Sequence, residues 1–98
     1  MPFTYSVPVP EGLASSEPLL LKKWLRDPGD FVDIGSALAL VQTNHGVFEL
    51  CANGKGMMHL QNAVEGAEIS ERGRVCVIAA DGEDIPYGRP YSTSRRIE

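Results

Sequence analysis

The side chains of this chain best suited to metal binding or nucleophilic chemistry are its histidines and cysteines, namely His45, His59, Cys51 and Cys76. None of them shows the short spacing that sets zinc ligands on one element, and the cysteines do not form a Cys-x-x-Cys redox pair. Both cysteines stand in apolar surroundings, which predicts buried thiols. We therefore expect no metal site, no catalytic residue and no enzymatic activity.

The most informative of these residues is His45, within the segment Gln42-Thr43-Asn44-His45-Gly46. Apolar runs flank this segment on both sides, at residues 37–41 and 47–51. Asn44 tolerates turn geometry, and Gly46 suits the last position of a type I turn. The pattern predicts a hairpin that projects His45 from an exposed tip. A convex tip offers no pocket and no orienting carboxylate, so recognition by a partner, or no role at all, is expected ahead of catalysis.

The elements that must position this hairpin are short strands. Apolar runs recur along the chain and are separated by Gly, Asp, Asn and Pro, at residues 19–21, 31–32, 37–41, 47–51, 57–58 and 75–80. The segment Lys22–Leu25 does not continue as a helix, because Asp27-Pro28-Gly29-Asp30 ends it. The sequence therefore predicts an all-β fold with strands of about 3–6 residues.

A weak internal repeat supports two similar halves. A shift of 37 residues superposes apolar residues and turn glycines in the same order, pairing Leu20 with Met57, Leu21 with Met58, Gly29 with Gly66, Val32 with Ile69, Leu38 with Val75, Leu40 with Val77 and Val41 with Ile78. Neither half could bury its apolar face alone, so the halves should pack together. Two-fold pseudosymmetry then places the turn at residues 43–46 across the domain from its ends, near residues 8 and 82.

Charge divides the 98 residues unevenly. Residues 1–85 hold six Lys/Arg against twelve Asp/Glu, a net charge of 6 − 12 = −6, whereas residues 86–98 hold three against one, or +2. An acidic body argues against nucleic-acid binding, and no apolar stretch approaches the ~18 residues of a membrane span. We predict a cytoplasmic domain over residues 1–85 and a disordered tail or linker stub over residues 86–98.

Several motifs, taken in order, resemble the lipoyl domains of the biotinyl/lipoyl attachment family, the swinging-arm carriers of 2-oxo-acid dehydrogenase complexes. The resemblance covers roughly residues 7–80. It rests on Trp24-Leu25, Gly29-Asp30-Phe31-Val32, Gly35, Leu38, the 42–46 hairpin, Gly56 and Glu65-Gly66 followed by Ile69. It implies a flattened barrel-sandwich of two antiparallel sheets with internal pseudo-two-fold symmetry.

The departure from the family falls on the residue that carries the cofactor. Where the family has Glu-Thr-Asp-Lys-Ala, this chain has Gln42-Thr43-Asn44-His45-Gly46. A carrier lysine forms a stable amide with lipoate or biotin, whereas an acyl-imidazole hydrolyses. The resemblance therefore implies a domain without its acceptor lysine and with no cofactor. We expect a non-catalytic interaction, scaffold or vestigial carrier module whose partner is a protein, such as a component of a 2-oxo-acid dehydrogenase-like complex.

The alternative is a genuine lipoyl or biotin carrier domain of a multienzyme complex. It requires modification at another lysine, or a His45 that replaces a natural lysine by engineering. Lys55, in Asn53-Gly54-Lys55-Gly56, is the candidate for a displaced attachment site, although its register places it away from the hairpin tip. Biotin has less support than lipoate, because the biotinyl motif flanks its lysine with methionines and Met57-Met58 lie elsewhere.

Overall fold

The computed structural model describes residues 3–10, 13, 19–69, 73–81 and 92–97. The elements whose full bounds lie within these residues are strands, as the sequence predicts. In chain order they are β1 (Phe3–Pro8), β2 (Leu20–Trp24), β3 (Phe31–Val32), β4 (Ala37–Thr43), β5 (Gly46–Ala52), β6 (Gly56–Gln61), β7 (Arg74–Ala80) and β8 (Ser92–Arg96). No helix in these ranges has the length and apolar character needed to span a membrane.

The strands form two four-stranded antiparallel sheets. One sheet has the order β1-β7-β6-β3 and the other the order β2-β4-β5-β8. Every named pairing is antiparallel. The prediction of an all-β fold built from two antiparallel sheets is confirmed.

Alternating burial along the strands explains how the sheets enclose a core. In β1, Tyr5 and Val7 are buried and alternate with more exposed residues, which is the period expected of a strand with one inward face. The buried side chains form two clusters. The first comprises Tyr5, Val7, Val32, Leu38, Ala52, Met58, Cys76, Ile78 and Ala80. The second comprises Val9, Leu13, Leu19, Val41, Leu50 and Val75.

Trp24, at the end of β2, links the two clusters because its partly buried ring packs against both. Its indole Nε1–H donates a hydrogen bond to the Ala63 carbonyl at 3.1 Å. Its backbone N–H donates to the Glu65 carboxylate at 2.9 Å. The single tryptophan therefore has a structural role: it fixes the loop after β6 against the edge of β2.

Gly56, at the start of β6, is required by a close approach between strands. Its φ is +151°, and a Cβ placed there would lie 2.5 Å from both the Ala79 carbonyl oxygen and Ile78 Cγ2. Either feature alone disfavours a side chain. The glycine lets β6 approach β7 closely and set the packing of that sheet.

The structure corrects the prediction of a disordered tail at residues 92–96. These residues form β8, which pairs with β5 in an unbroken register from Phe48↔Arg96 to Ala52↔Ser92. The reason is physical: without β8, the outer edge of β5 would present a row of unpaired backbone groups, and a polar strand satisfies them as well as an apolar one. The predicted tail residues 86–91 and 98 lie outside the described residues.

Candidate recognition hairpin

The hairpin predicted from the sequence is present between β4 and β5. Thr43 pairs with Gly46, so Asn44 and His45 form the two-residue connection. Among the described residues no residue other than glycine has a positive φ, while Gly46 has a φ of 125°. The turn therefore does not use the type I′ geometry, which needs a positive φ at both central residues. Gly46 instead supplies the unusual backbone conformation that lets the chain enter β5.

Thr43 holds the turn together through its hydroxyl group. The Thr43 Oγ1 accepts a hydrogen bond from the His45 backbone N–H at 2.9 Å and donates one to the Gly46 carbonyl at 3.0 Å. Thr43 is only 5% exposed, and it and Ser92 are the buried polar residues among those that the structure describes. The two bonds fix the backbone on either side of His45 and make the tip a preorganised surface.

The side chains at the tip face solvent. Asn44 and His45 are exposed, and Gln42 is half-buried, lying between Leu20 of β2 and Val47 of β5 in the sheet. His45 is the only ionisable side chain in residues 42–46. The tip therefore offers a partner one imidazole and two neutral amides, groups that both donate and accept hydrogen bonds.

Lys55, the alternative attachment residue, lies at the other end of β5. It is exposed in the connection between β5 and β6, and its carbonyl oxygen accepts a hydrogen bond from the Tyr5 hydroxyl at 3.2 Å. The seven residues of β5 separate this connection from the hairpin, a length of about 20 Å at the usual rise of a strand. The structure therefore does not bring Lys55 and His45 together.

The remaining candidate side chains are dispersed. Cys51 and Cys76 are buried free thiols. Burial raises the pKa of Cys76 to about 12. Burial also raises the pKa of Cys51, although the positive charge of Arg95 lowers it in part. The raised pKa values favour the protonated form of both thiols at neutral pH. His59 is exposed in β6, where the register with β7 shifts. The described ranges contain no group of three or more side chains able to hold a metal ion.

The feature that sequence reasoning missed is the approach of the chain's carboxyl-terminal strand to the hairpin. The Ile97 backbone N–H donates to the Val47 carbonyl at 3.0 Å, two residues from His45. At the other end of β8, the Ser92 Oγ donates to the Pro8 carbonyl at 2.8 Å. Pro8 thus lies at the end of β5 remote from the turn, as expected. Strand β8 starts beside Pro8 and ends beside the hairpin. The second predicted exit, near residue 82, lies outside the described residues.

The resemblance rests on the sequence motifs alone. No protein-family model matches the chain, and no curated protein matches it.

Proposed function

We propose that this chain is a lipoyl-like domain without its acceptor lysine, which acts as a non-catalytic interaction or vestigial carrier module. The observation that carries the proposal is the tight β4–β5 turn, which presents His45 to solvent where the resemblance would have the modified lysine. Residues 42–46 are the docking surface in this account. The partner is a protein, such as a component of a 2-oxo-acid dehydrogenase-like complex, and the predicted compartment is the cytoplasm.

The finer fold proposal is a flattened barrel-sandwich with two-fold pseudosymmetry, and the strand bounds support it. Shifted by 37 residues, β4 falls on β7 (Arg74–Ala80), and β2 falls on residues 57–61 of β6. The same shift brings β3 onto residues 68–69, and Glu68 forms a bridge with Leu20 of β2. The order β7-β6-β3 thus has a counterpart in β4-β2 followed by Glu68, whereas the same shift does not relate β1 to β5. In this proposal β8 is an addition outside the repeat.

The chemistry of the tip favours recognition over carriage. An amide on a lysine amine persists, whereas an acyl group on imidazole is activated and is lost to water. With the turn fixed by Thr43 and the imidazole in solvent, His45 can hydrogen-bond to a docking protein at little cost in conformational entropy. The neutral Gln42 and Asn44 beside it alter the acidic surface that lipoate-attaching enzymes meet on true carriers.

The alternative function is a genuine carrier modified at Lys55, which is exposed between two glycines. An arm attached there would swing from the end of the domain opposite the hairpin. Lipoate, or less readily biotin, would then be the cofactor. Mapping any modified lysine by peptide mass spectrometry separates this alternative from the proposed one.

The proposal is tested by restoring the lysine. We expect a His45→Lys variant, treated with a lipoate ligase, ATP and lipoate, to gain one lipoyl group, while the wild-type chain gains none. Lys55→Arg in the same background is the matched control, and it should not reduce the modification. If His45→Lys is not modified, the flanking acids are restored with Gln42→Glu and Asn44→Asp. A triple variant that folds and still resists modification contradicts the proposed presentation of the hairpin.

A further inference from the structure

Strand β8 covers the outer edge of β5 with side chains that are polar and mostly exposed. Its residues are Ser-Thr-Ser-Arg-Arg, and only Ser92 is buried, whereas Thr93, Arg95 and Arg96 are exposed. Five paired positions and the Ile97 N–H bond join it to β5. Backbone pairing therefore makes a large part of this contact, and any extended segment could supply it.

Two contacts add selectivity to this edge. The Ser92 Oγ donates to the Pro8 carbonyl at 2.8 Å, and Ser92 is buried. The Arg95 Nε donates to the Glu49 carboxylate at 2.8 Å. The Glu49 side chain is 18% exposed and that of Arg95 is 65% exposed. Glu49 is therefore held within the sheet, whereas the Arg95 side chain reaches it from solvent.

Eleven residues, 81–91, separate β7 from β8 in the sequence, and they include two glycines and two prolines. A strand joined in this way is kept in place by its high effective concentration, so its own contacts need not be strong. A second segment with the same chemistry can compete for the edge when it is present in sufficient amount.

We propose that the outer edge of β5 is a strand-addition site for an extended segment of a protein partner, and that β8 is its intramolecular occupant. The segment would carry a small hydroxyl residue opposite Ala52 and a basic residue three positions later, opposite Glu49. Because the occupant runs antiparallel to β5, it ends beside Val47 at the base of the hairpin. This site is distinct from the hairpin tip and does not depend on the docking of His45.

The test uses the full chain, labelled with ¹⁵N, and an unlabelled peptide of residues 91–98 as the probe. The wild-type chain is compared with an Arg95→Glu chain, in which Glu49 repels the chain's own strand. As peptide is added, we expect the amide signals of residues 92–97 to move to disordered positions. The amides of Glu49–Ala52 should remain protected from hydrogen exchange, because the peptide replaces β8. Half-displacement should require about fivefold less peptide in the Arg95→Glu chain.

Charge reversal provides the matched control. A peptide carrying Arg95→Glu should bind the Arg95→Glu chain about fivefold more weakly than the wild-type peptide does. A chain carrying Glu49→Arg together with Arg95→Glu should reverse this preference. Since Arg95 is exposed, each chain is expected to keep the wild-type circular dichroism spectrum. If a variant does not fold, the wild-type titration decides alone.

Three results would overturn the proposal. The first is no displacement at peptide concentrations of about 10 mM, well above the effective concentration of a short tether. The second is loss of protection in β5 together with β8, which would mean unfolding and not exchange. The third is a concentration-dependent dimer without peptide, which would assign the edge to a second copy of this chain.

Discussion

Replacing Thr43 with valine removes the hydroxyl group that holds the hairpin and preserves the shape of the side chain. The hydroxyl accepts from the His45 N–H at 2.9 Å and donates to the Gly46 carbonyl at 3.0 Å, and the residue is 5% exposed. Two net hydrogen bonds contribute about 1–3 kcal/mol to the free energy of unfolding. A loss of about 2 kcal/mol corresponds to a fall of about 10 °C in Tm for a domain of this size.

The assay combines thermal unfolding with hydrogen exchange at the turn, and Thr43→Ser is the control. Serine keeps both hydrogen bonds and loses one methyl group, which costs about 0.8 kcal/mol. We expect Thr43→Val to accelerate exchange of the His45 amide selectively, and Thr43→Ser to leave that amide protected. In a His45→Lys background, Thr43→Val should also slow lipoylation. Equal stability and equal His45 exchange in the two variants would refute the assignment of Thr43 as the clamp of the hairpin.

Three further predictions concern the body of the domain. Gly56→Ala should lower the free energy of unfolding by about 3 kcal/mol or more in urea titrations, because its Cβ would lie 2.5 Å from the Ala79 carbonyl oxygen. Gly29 also has a positive φ but has open space around it, so Gly29→Ala should lower the free energy of unfolding by only about 1–2 kcal/mol. Trp24→Phe should cost about 1 kcal/mol through the lost bond to Ala63, and full wild-type stability in chemical denaturation would contradict that bond. Burial raises the pKa of Cys76 from its ordinary value of 9.0 to about 12. The unfolded chain therefore releases this proton first, and stability should fall as the pH rises from about 9 towards 12, with a shallower fall in Cys76→Ala.

The parts of the fold that the sequence predicts are those determined by local patterns. Apolar runs at residues 37–41, 47–51 and 75–80 correspond to β4, β5 and β7. The turn between β4 and β5 follows from the backbone freedom of Gly46 and the turn preference of Asn44. Such signals lie within a few residues of the structure that they specify, so a single sequence is sufficient to find them.

The strands that the sequence analysis missed have different causes. In β1, Tyr5 and Val7 are buried in alternation, so a signal of period two was present, although Pro8 breaks it. In β8, no apolar alternation exists, and the strand forms because β5 has an edge to fill. Pairing of that kind depends on tertiary structure and leaves no mark in the composition of the tail itself.

The candidate site divides in the same way. The exposed position of His45 follows from the turn pattern. The role of the Thr43 hydroxyl does not, because it depends on the backbone path through Gly46. The neighbouring contact between Ile97 and Val47 could not be predicted either, since 50 residues separate them in the sequence and only the β5–β8 register brings them together.

The central claim is that this domain presents a histidine where a carrier has its lysine, and works without a covalent cofactor. Its most direct test is the intact mass of the protein purified from its native host, where the attaching enzymes are present. We expect the mass calculated from its amino-acid sequence, with no added lipoyl or biotinyl group. A mass increased by one lipoyl or biotinyl group would contradict it, and would make the chain a carrier with a displaced attachment site.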